Sequence, residues 1–208
     1  MSAVPHTPFN GDQYIGVELR RLIAAHEIRS IVETGMWSAH STREFRTMVS
    51  GRVTTLDITT EHLVEEFGSG AVEDLAALGI ELVLGDSGET LAGMLAGYGD
   101  EDFPLLAYLD GHGPDCPIVE ELDALATDWR CLDRVVLAIH DCIVPHKPWG
   151  YNTVEWPWSG GPQPLGYEVL KHKFPALYPS GYAYYYNEKA EGCQRGVLYV
   201  TPVLGNVT

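Results

Sequence analysis

The sequence predicts a doubly wound α/β domain with a mostly parallel seven-stranded sheet that ends in a C-terminal antiparallel hairpin. Three observations predict it. Short apolar runs alternate with amphipathic stretches five times in succession, and that alternation calls for parallel strands joined by right-handed helical crossovers. The 208 residues, 45% hydrophobic and 20% charged, have the size and composition of one globular domain. Finally, Gly35, Asp57, Asp86, Asp110 and Asp141 each fall at the C-terminal end of a predicted strand, where open α/β sheets bind their ligands.

Residues 1–28 form an N-terminal helical segment, in which Ile15, Leu19, Leu22 and Ile23 share one face of a helix over 13–27 with Arg20 and Arg21 opposite. Ser30-Ile31-Val32 is the first strand, stopping at Glu33-Thr34-Gly35, and a helix over about 40–49 follows it. Val53 to Leu56 is the second strand, ending at Asp57. Thr59 or Thr60 caps a helix running toward Leu78, with Glu61 adding favourable charge in its first turn. Ile80 to Leu84 leads into Gly85-Asp86-Ser87 and a helix reaching Ala96. Leu105 to Leu109 ends at Asp110 and precedes a helix near 117–128. Arg134 to Ile139 ends at His140-Asp141. The stretch 142–164 is rich in Pro, Gly and Trp without periodicity, so it reads as a long ordered loop acting as a substrate-binding element or lid. A helix near 165–173 then precedes two late strands, Tyr182 to Tyr186 and Val197 to Val200, expected to pair antiparallel at an edge.

Composition removes several classes of function. With 29 acidic and 13 basic residues the formal charge is −16, and like charges repel a nucleic-acid backbone or an anionic membrane. The longest apolar runs, such as Val135 to Ile139, fall far short of a ~20-residue membrane span. Cys116, Cys131, Cys142 and Cys193 have neither CxxC spacing nor the density of a disulfide framework, and Met1 to Asp12 lacks a signal-peptide pattern. The expectation is a cytoplasmic protein with neither nucleic-acid nor membrane partners.

The strand ends carry the chemistry. Gly35 lets a ligand approach the backbone, and the helix that follows offers free N–H groups; an ordinary βα turn explains this glycine equally well. Asp57 shifts the balance, because a carboxylate at the tip of the second strand suits ribose hydroxyls. The G-x-G-x-x-G fingerprint is absent, since Trp37 and Ala39 stand where further glycines belong. Without a diphosphate cradle a dinucleotide is disfavoured, and a ribose-bearing cofactor without phosphates, S-adenosylmethionine, fits better.

The series Glu33-x-Gly35-x-Trp37-x-Ala39-x-Ser41, Asp57, Gly85-Asp86-Ser87 and Asp110 resembles the class I S-adenosylmethionine-dependent methyltransferases, whose fold is Rossmann-like. It is most similar to small O-methyltransferases related to catechol O-methyltransferase and to bacterial proteins of the FkbM and methyltransferase-24 type. The order of motifs covers residues 30–142, and the stretches 108–122, 139–145 and 184–188 resemble one bacterial subgroup. The resemblance implies that Glu33 and Gly35 line the methionine side of the cofactor, that Ser41 bonds near its carboxylate, and that Trp37 belongs to the same cofactor-binding set. It implies further that Asp57 takes the ribose hydroxyls, that Asp86 and Ser87 lie beside the adenine, and that Asp110 sits near the transferred methyl group.

In metal-dependent relatives, acidic residues after the fourth and fifth strands hold Mg²⁺, and the matching residues here are Asp110, His140 and Asp141. An imidazole suits Mn²⁺, Fe²⁺ or Zn²⁺ better than Mg²⁺. Strand-end polar residues that merely bond loop backbone remain an equal alternative. Transfer to a hydroxyl calls for a base, and His112, two residues past Asp110, is the candidate. His40 reads as a capping or surface residue, while His62 and His172 read as solvated helix positions. His146 and the tryptophans Trp149, Trp156 and Trp158 either pack the 142–164 loop or enclose a flat or glycan-like acceptor. That loop is also the natural surface for a homo-oligomer.

The expected function is methyl transfer from S-adenosylmethionine to a hydroxyl of a small molecule or sugar, with metal assistance, and with Asp110 and His112 as the catalytic pair. Two rivals stand beside it. One is a metal-dependent hydroxylase or hydrolase built on Asp110, His112, His140 and Asp141, since fold does not fix reaction type. The other is a non-catalytic cofactor-binding or assembly module, to which Ala39 in place of glycine would point.

Overall fold

The computed structural model describes residues 7–111, 116–155 and 161–203. Five strands, β1 (Ser30–Thr34), β2 (Val53–Asp57), β3 (Ile80–Leu84), β4 (Leu105–Leu109) and β5 (Val135–Ile139), run parallel. Two more, β8 (Tyr182–Tyr186) and β9 (Leu198–Pro202), complete a sheet of order β3-β2-β1-β4-β5-β9-β8, in which β9 runs antiparallel to both neighbours. The central strands β1, β4 and β5 are buried throughout, as apolar strands covered on both faces should be. Successive strands run outward from β1 to β3 and then restart at β4 on the other side. That reversal leaves a crevice between β1 and β4.

The helices α1 (Gln13–Ala25), α2 (His40–Met48), α3 (Glu61–Phe67) and α4 (Ala71–Ala77) contribute to one apolar layer with Ile31, Val53 and Leu106 from the sheet. On the other side α5 (Ser87–Leu95) and α6 (Ile118–Thr127) pack with Val32, Leu56 and Leu105. The side-chain alternation of the strands sends Ile31 to one layer and Val32 to the other.

Three stretches differ from the pattern the sequence predicts. The helix expected from Thr59 to Leu78 is two, because Gly68 adopts φ +86° and turns the chain. The helix near 165–173 is likewise two single turns, α7 (Tyr167–Leu170) and α8 (Phe174–Leu177). The long loop contains a small antiparallel ribbon, β6 (Thr153–Val154) with β7 (Gln163–Pro164); Trp156 and Trp158 lie outside the described residues. Ahead of α1, a short 3₁₀ turn over Pro8–Gly11 buries Phe9 against Phe45 and Tyr108. Among the described residues no helix is long and apolar enough to cross a membrane.

Candidate active site

The turn after β1 is built by backbone conformation. Gly35 has φ +79°, and a Cβ placed on it would lie 2.3 Å from the Asp110 carbonyl oxygen, so the β1 and β4 ends meet here only because the residue is glycine. Trp37 and Ala39 take φ +52° and +60°. The chain thus keeps the left-handed conformations of a glycine-rich loop at the two positions where it carries side chains. Asp57 secures the turn: its Oδ2 accepts from the Trp37 amide at 2.9 Å and its Oδ1 from the Thr59 amide at 3.1 Å. Each oxygen keeps a lone pair for a further donor. The Trp37 ring, 56% exposed, stacks on His62 at 3.8 Å, and Ile58 next to Asp57 is 76% exposed. The β2–β3 register sets Asp57 beside Leu84, and Asp86 follows as the exposed N-cap of α5, its Oδ1 accepting from the Glu89 amide at 3.3 Å.

Two buried carboxyls lie behind this surface. The β1–β2 register pairs Glu33 with Thr55, and Glu33 Oε2 accepts from Thr55 Oγ1 at 2.8 Å and from Thr42 Oγ1. Burial pushes the Glu33 carboxyl up to about 8; the two hydroxyls oppose the rise, while Asp110 and Asp57 add to it. Glu121, on the apolar face of α6 with Ile118, Leu122 and Leu125, accepts from Ser87 Oγ at 2.6 Å, and its Oε2 is buried without a hydrogen bond. Burial raises it to about 7, against the bonds from Ser87 and Thr34, with Asp86 and Asp110 raising it further. Glu121 is not among the site residues expected from the sequence. Its signal is a lone carboxylate at helical spacing among apolar residues.

The third part lies at the ends of β4 and β5. Thr34 holds the first of them, its Oγ1 accepting from the Asp110 and Gly111 amides at 3.3 Å each. Asp110 Oδ1 lies 2.9 Å and Asp141 Oδ1 3.2 Å from Nδ1 of His140, which is only 2% exposed. Asp141 adopts φ +57°, takes a bond on Oδ2 from Asn152 Nδ2 at 3.0 Å, and has Arg195 Nη1 at 3.6 Å from Oδ1. Burial disfavours a charged His140, but Asp110 and Asp141 outweigh it and hold its pKa above the ordinary imidazole range. Asp110, His140 and Asp141 each offer a ligand atom within 4.8 Å of the others.

The expected site residues therefore fall into three groups along the strand ends. Trp37 meets Asp57, Ser87 meets Glu121, and Asp110, which Gly35 abuts through its backbone, joins His140 and Asp141. Glu33 sits beneath them, and Asp86 lies on the exposed side. Ser41 is used within the fold, its Oγ accepting from the Phe9 amide at 3.0 Å. His112 lies outside the described residues.

No protein-family model matches the sequence, and no curated protein matches it. Solved structures do share its architecture. A methyltransferase from Geobacter sulfurreducens, 17% identical, aligns over 92% of this chain and 80% of its own with a TM-score of 0.54. A methyltransferase from Podospora anserina, solved with S-adenosylhomocysteine bound, is 13% identical over 90% of this chain and 77% of its own, with a TM-score of 0.55. An rRNA methylase from Streptococcus thermophilus is 11% identical over 90% and 95%, with a TM-score of 0.53. The fold is that of methyltransferases. At such identities the likeness extends to the fold alone, and chemistry has to come from the site.

Proposed function

We propose that the chain transfers a methyl group from S-adenosylmethionine to a hydroxyl of a small molecule or sugar, with a divalent ion assisting. The observation that carries this reading is Asp57 at the tip of β2, bonded to the Trp37 amide of the turn after β1, the strand that borders the crevice where the strand order reverses. A carboxylate there, with no diphosphate-binding glycine pattern, suits a ribose attached to something other than phosphates. The charge agrees, because Asp57, Asp86 and Asp110 give an acidic rim that attracts a ligand bearing ammonium and sulfonium groups. Exposed Ile58 and the Trp37 ring supply apolar surface for a purine.

S-Adenosylmethionine supplies the electrophilic methyl group, so the protein's tasks are to bind, orient and manage one proton. Thr34 fixes the Asp110 backbone, placing that carboxylate at the mouth of the crevice. Asp110, His140 and Asp141 would hold the ion; the hydrogen-bond-free Asp141 Oδ1 and the mixed oxygen and nitrogen donors fit Mn²⁺, Fe²⁺ or Zn²⁺ better than Mg²⁺. A bound ion would lower the pKa of an acceptor hydroxyl. Without one, the proton falls to a side chain, and the candidates are His112, two residues past Asp110 in sequence, and His140, whose Nδ1 lies 2.9 Å from Asp110 Oδ1.

Calorimetric titration of S-adenosylhomocysteine into the purified protein tests the reading. Binding in the micromolar range, about −8 kcal/mol, is expected; no heat under any metal condition would overturn it. The metal-dependent hydroxylase reading draws on the same Asp110–His140–Asp141 cluster. Tightly held iron without affinity for S-adenosylhomocysteine would favour it.

A further inference from the structure

The segment after β5 and the start of the β8–β9 loop border an open cleft of about 480 Å³ that the cofactor and metal reading leaves unused. Val144, Pro145 and Tyr186 give it apolar walls, Lys147 and Lys189 give it charge, and Glu188 also borders it. The volume is that of a small-molecule site.

The lysines are the unusual element. A chain with a formal charge of −16 carries only four of them. Lys171 and Lys173 are paired, with Glu168 and Asp123 respectively, at 2.7 Å each. Among the described residues Lys147 and Lys189 have no carboxylate partner. Lys147 Nζ donates to the Glu188 carbonyl at 3.1 Å and lies 5.1 Å from the Trp149 ring, while Lys189 Nζ stands 5.4 Å from the Tyr14 ring. Two lysines without a carboxylate partner therefore border one cavity, on a protein whose net charge of −16 repels anions.

The cleft is also tied to the site. Val144 follows Asp141 on the segment after β5, and Lys189 lies on the β8–β9 loop that carries Arg195 to within 3.6 Å of Asp141. Asn187 fastens that loop at both ends: its Oδ1 accepts from the Val197 amide at 2.8 Å, and its Nδ2 donates to the Lys189 and Arg195 carbonyls. Lys189 and Arg195 are thus presented by one braced loop.

We propose that this cleft binds an oxyanion, a carboxylate or phosphate monoester carried on an apolar or aromatic body, with Lys147 and Lys189 taking its charge. Lysine acts on either group as a point charge, and Val144, Pro145 and Tyr186 take the body. That this anion is the methyl acceptor rests on the methyl-transfer reading; that the cleft binds it does not.

The test uses the full chain and three probes sharing one ring: 4-hydroxybenzoate, 4-hydroxyphenyl phosphate and neutral 4-hydroxybenzyl alcohol. Affinities are measured by ligand-observed NMR at two salt concentrations, with and without S-adenosylhomocysteine. At least one anion should bind tenfold or more tighter than the alcohol, and which one identifies the headgroup. The preference should shrink at high salt and vanish in the K147Q/K189Q double variant, whose thermal midpoint should match the parent because both side chains are exposed. Equal affinity for all three probes, no binding of any, or an anion preference that survives the double substitution would overturn the proposal. Anion preference without S-adenosylhomocysteine binding would support the cleft and remove the methyl-transfer reading. The reverse result would remove the cleft alone.

Discussion

The Trp37 amide donates to Asp57 Oδ2 at 2.9 Å, so the turn after β1 is held by the strand that runs beside it. The carboxylate that would take a cofactor's ribose is the same one that shapes the loop facing the methionine part. Removing it should therefore act on both. Asp57→Ala is expected to weaken S-adenosylhomocysteine binding tenfold or more, about 1.4 kcal/mol, and Asp57→Asn, which keeps one acceptor oxygen, less. Calorimetry on both variants checks this, and unchanged affinity in the alanine variant would contradict the assignment.

Gly35 and Ala39 should respond very differently to small changes. Gly35→Ala adds a Cβ 2.3 Å from a carbonyl oxygen at φ +79°, and a loss of about 3 kcal/mol or more is expected. Ala39→Gly relieves about 1 kcal/mol of left-handed strain, but it gives up a buried methyl worth ~0.8 kcal/mol and loosens the unfolded chain. The expected net is within about 0.5 kcal/mol of zero, which is why alanine is tolerated there. Urea unfolding measures both.

Glu33 should make stability depend on pH. Its folded pKa is raised to about 8 from an ordinary 4.5, so the folded protein keeps a proton that the unfolded chain releases. Its stabilising contribution is complete below about 4.5, declines as pH rises, and is gone above about 8. Glu33→Gln keeps an acceptor for Thr42 and Thr55 and removes the titration. The thermal midpoint of this variant is expected to fall less between pH 5 and pH 8 than that of the parent; identical slopes would rule out a protonated Glu33.

The Asp110–His140–Asp141 cluster makes a metal prediction that does not depend on turnover. Mn²⁺ or Zn²⁺ should raise the thermal midpoint by linkage, EDTA should reverse the rise, and Asp141→Ala should abolish the response. Metal content by mass spectrometry provides a second readout. A parent protein indifferent to every ion would leave the cluster as a charged hydrogen-bond network.

Much of the fold was legible because it follows from local pattern. The apolar runs at 53–57, 80–84, 105–109 and 135–139 are strands, and each ends at the polar residues that the alternation predicts. The breaks were harder to read. One helix from Thr59 toward Leu78 leaves no place for the turn that Gly68 makes between α3 and α4. In the site, the strand-end position of Asp57 could be read, whereas its bond to Trp37 could not, since a left-handed turn at a tryptophan has no composition signal. Glu33 and Glu121 owe their shifted pKa values to burial by distant elements. Phe9 is similar, because Pro8–Gly11 carries no periodic pattern and its ring is placed only by contact with Phe45 and Tyr108.

The double anchorage at Asn187 separates the strand register of β8 and β9 from the sequence between them. One amide side chain closes the base of the loop, and residues 188–196 are further moored to Gln13 at the start of α1 and to Cys142 and Gly150 after β5. The hairpin connection thereby ties the first helix, the segment after β5 and the antiparallel edge into one piece. A change within 191–196 would be felt at Asp141 through Arg195, whereas the exposed Glu188 and Lys189 can vary without disturbing that mooring.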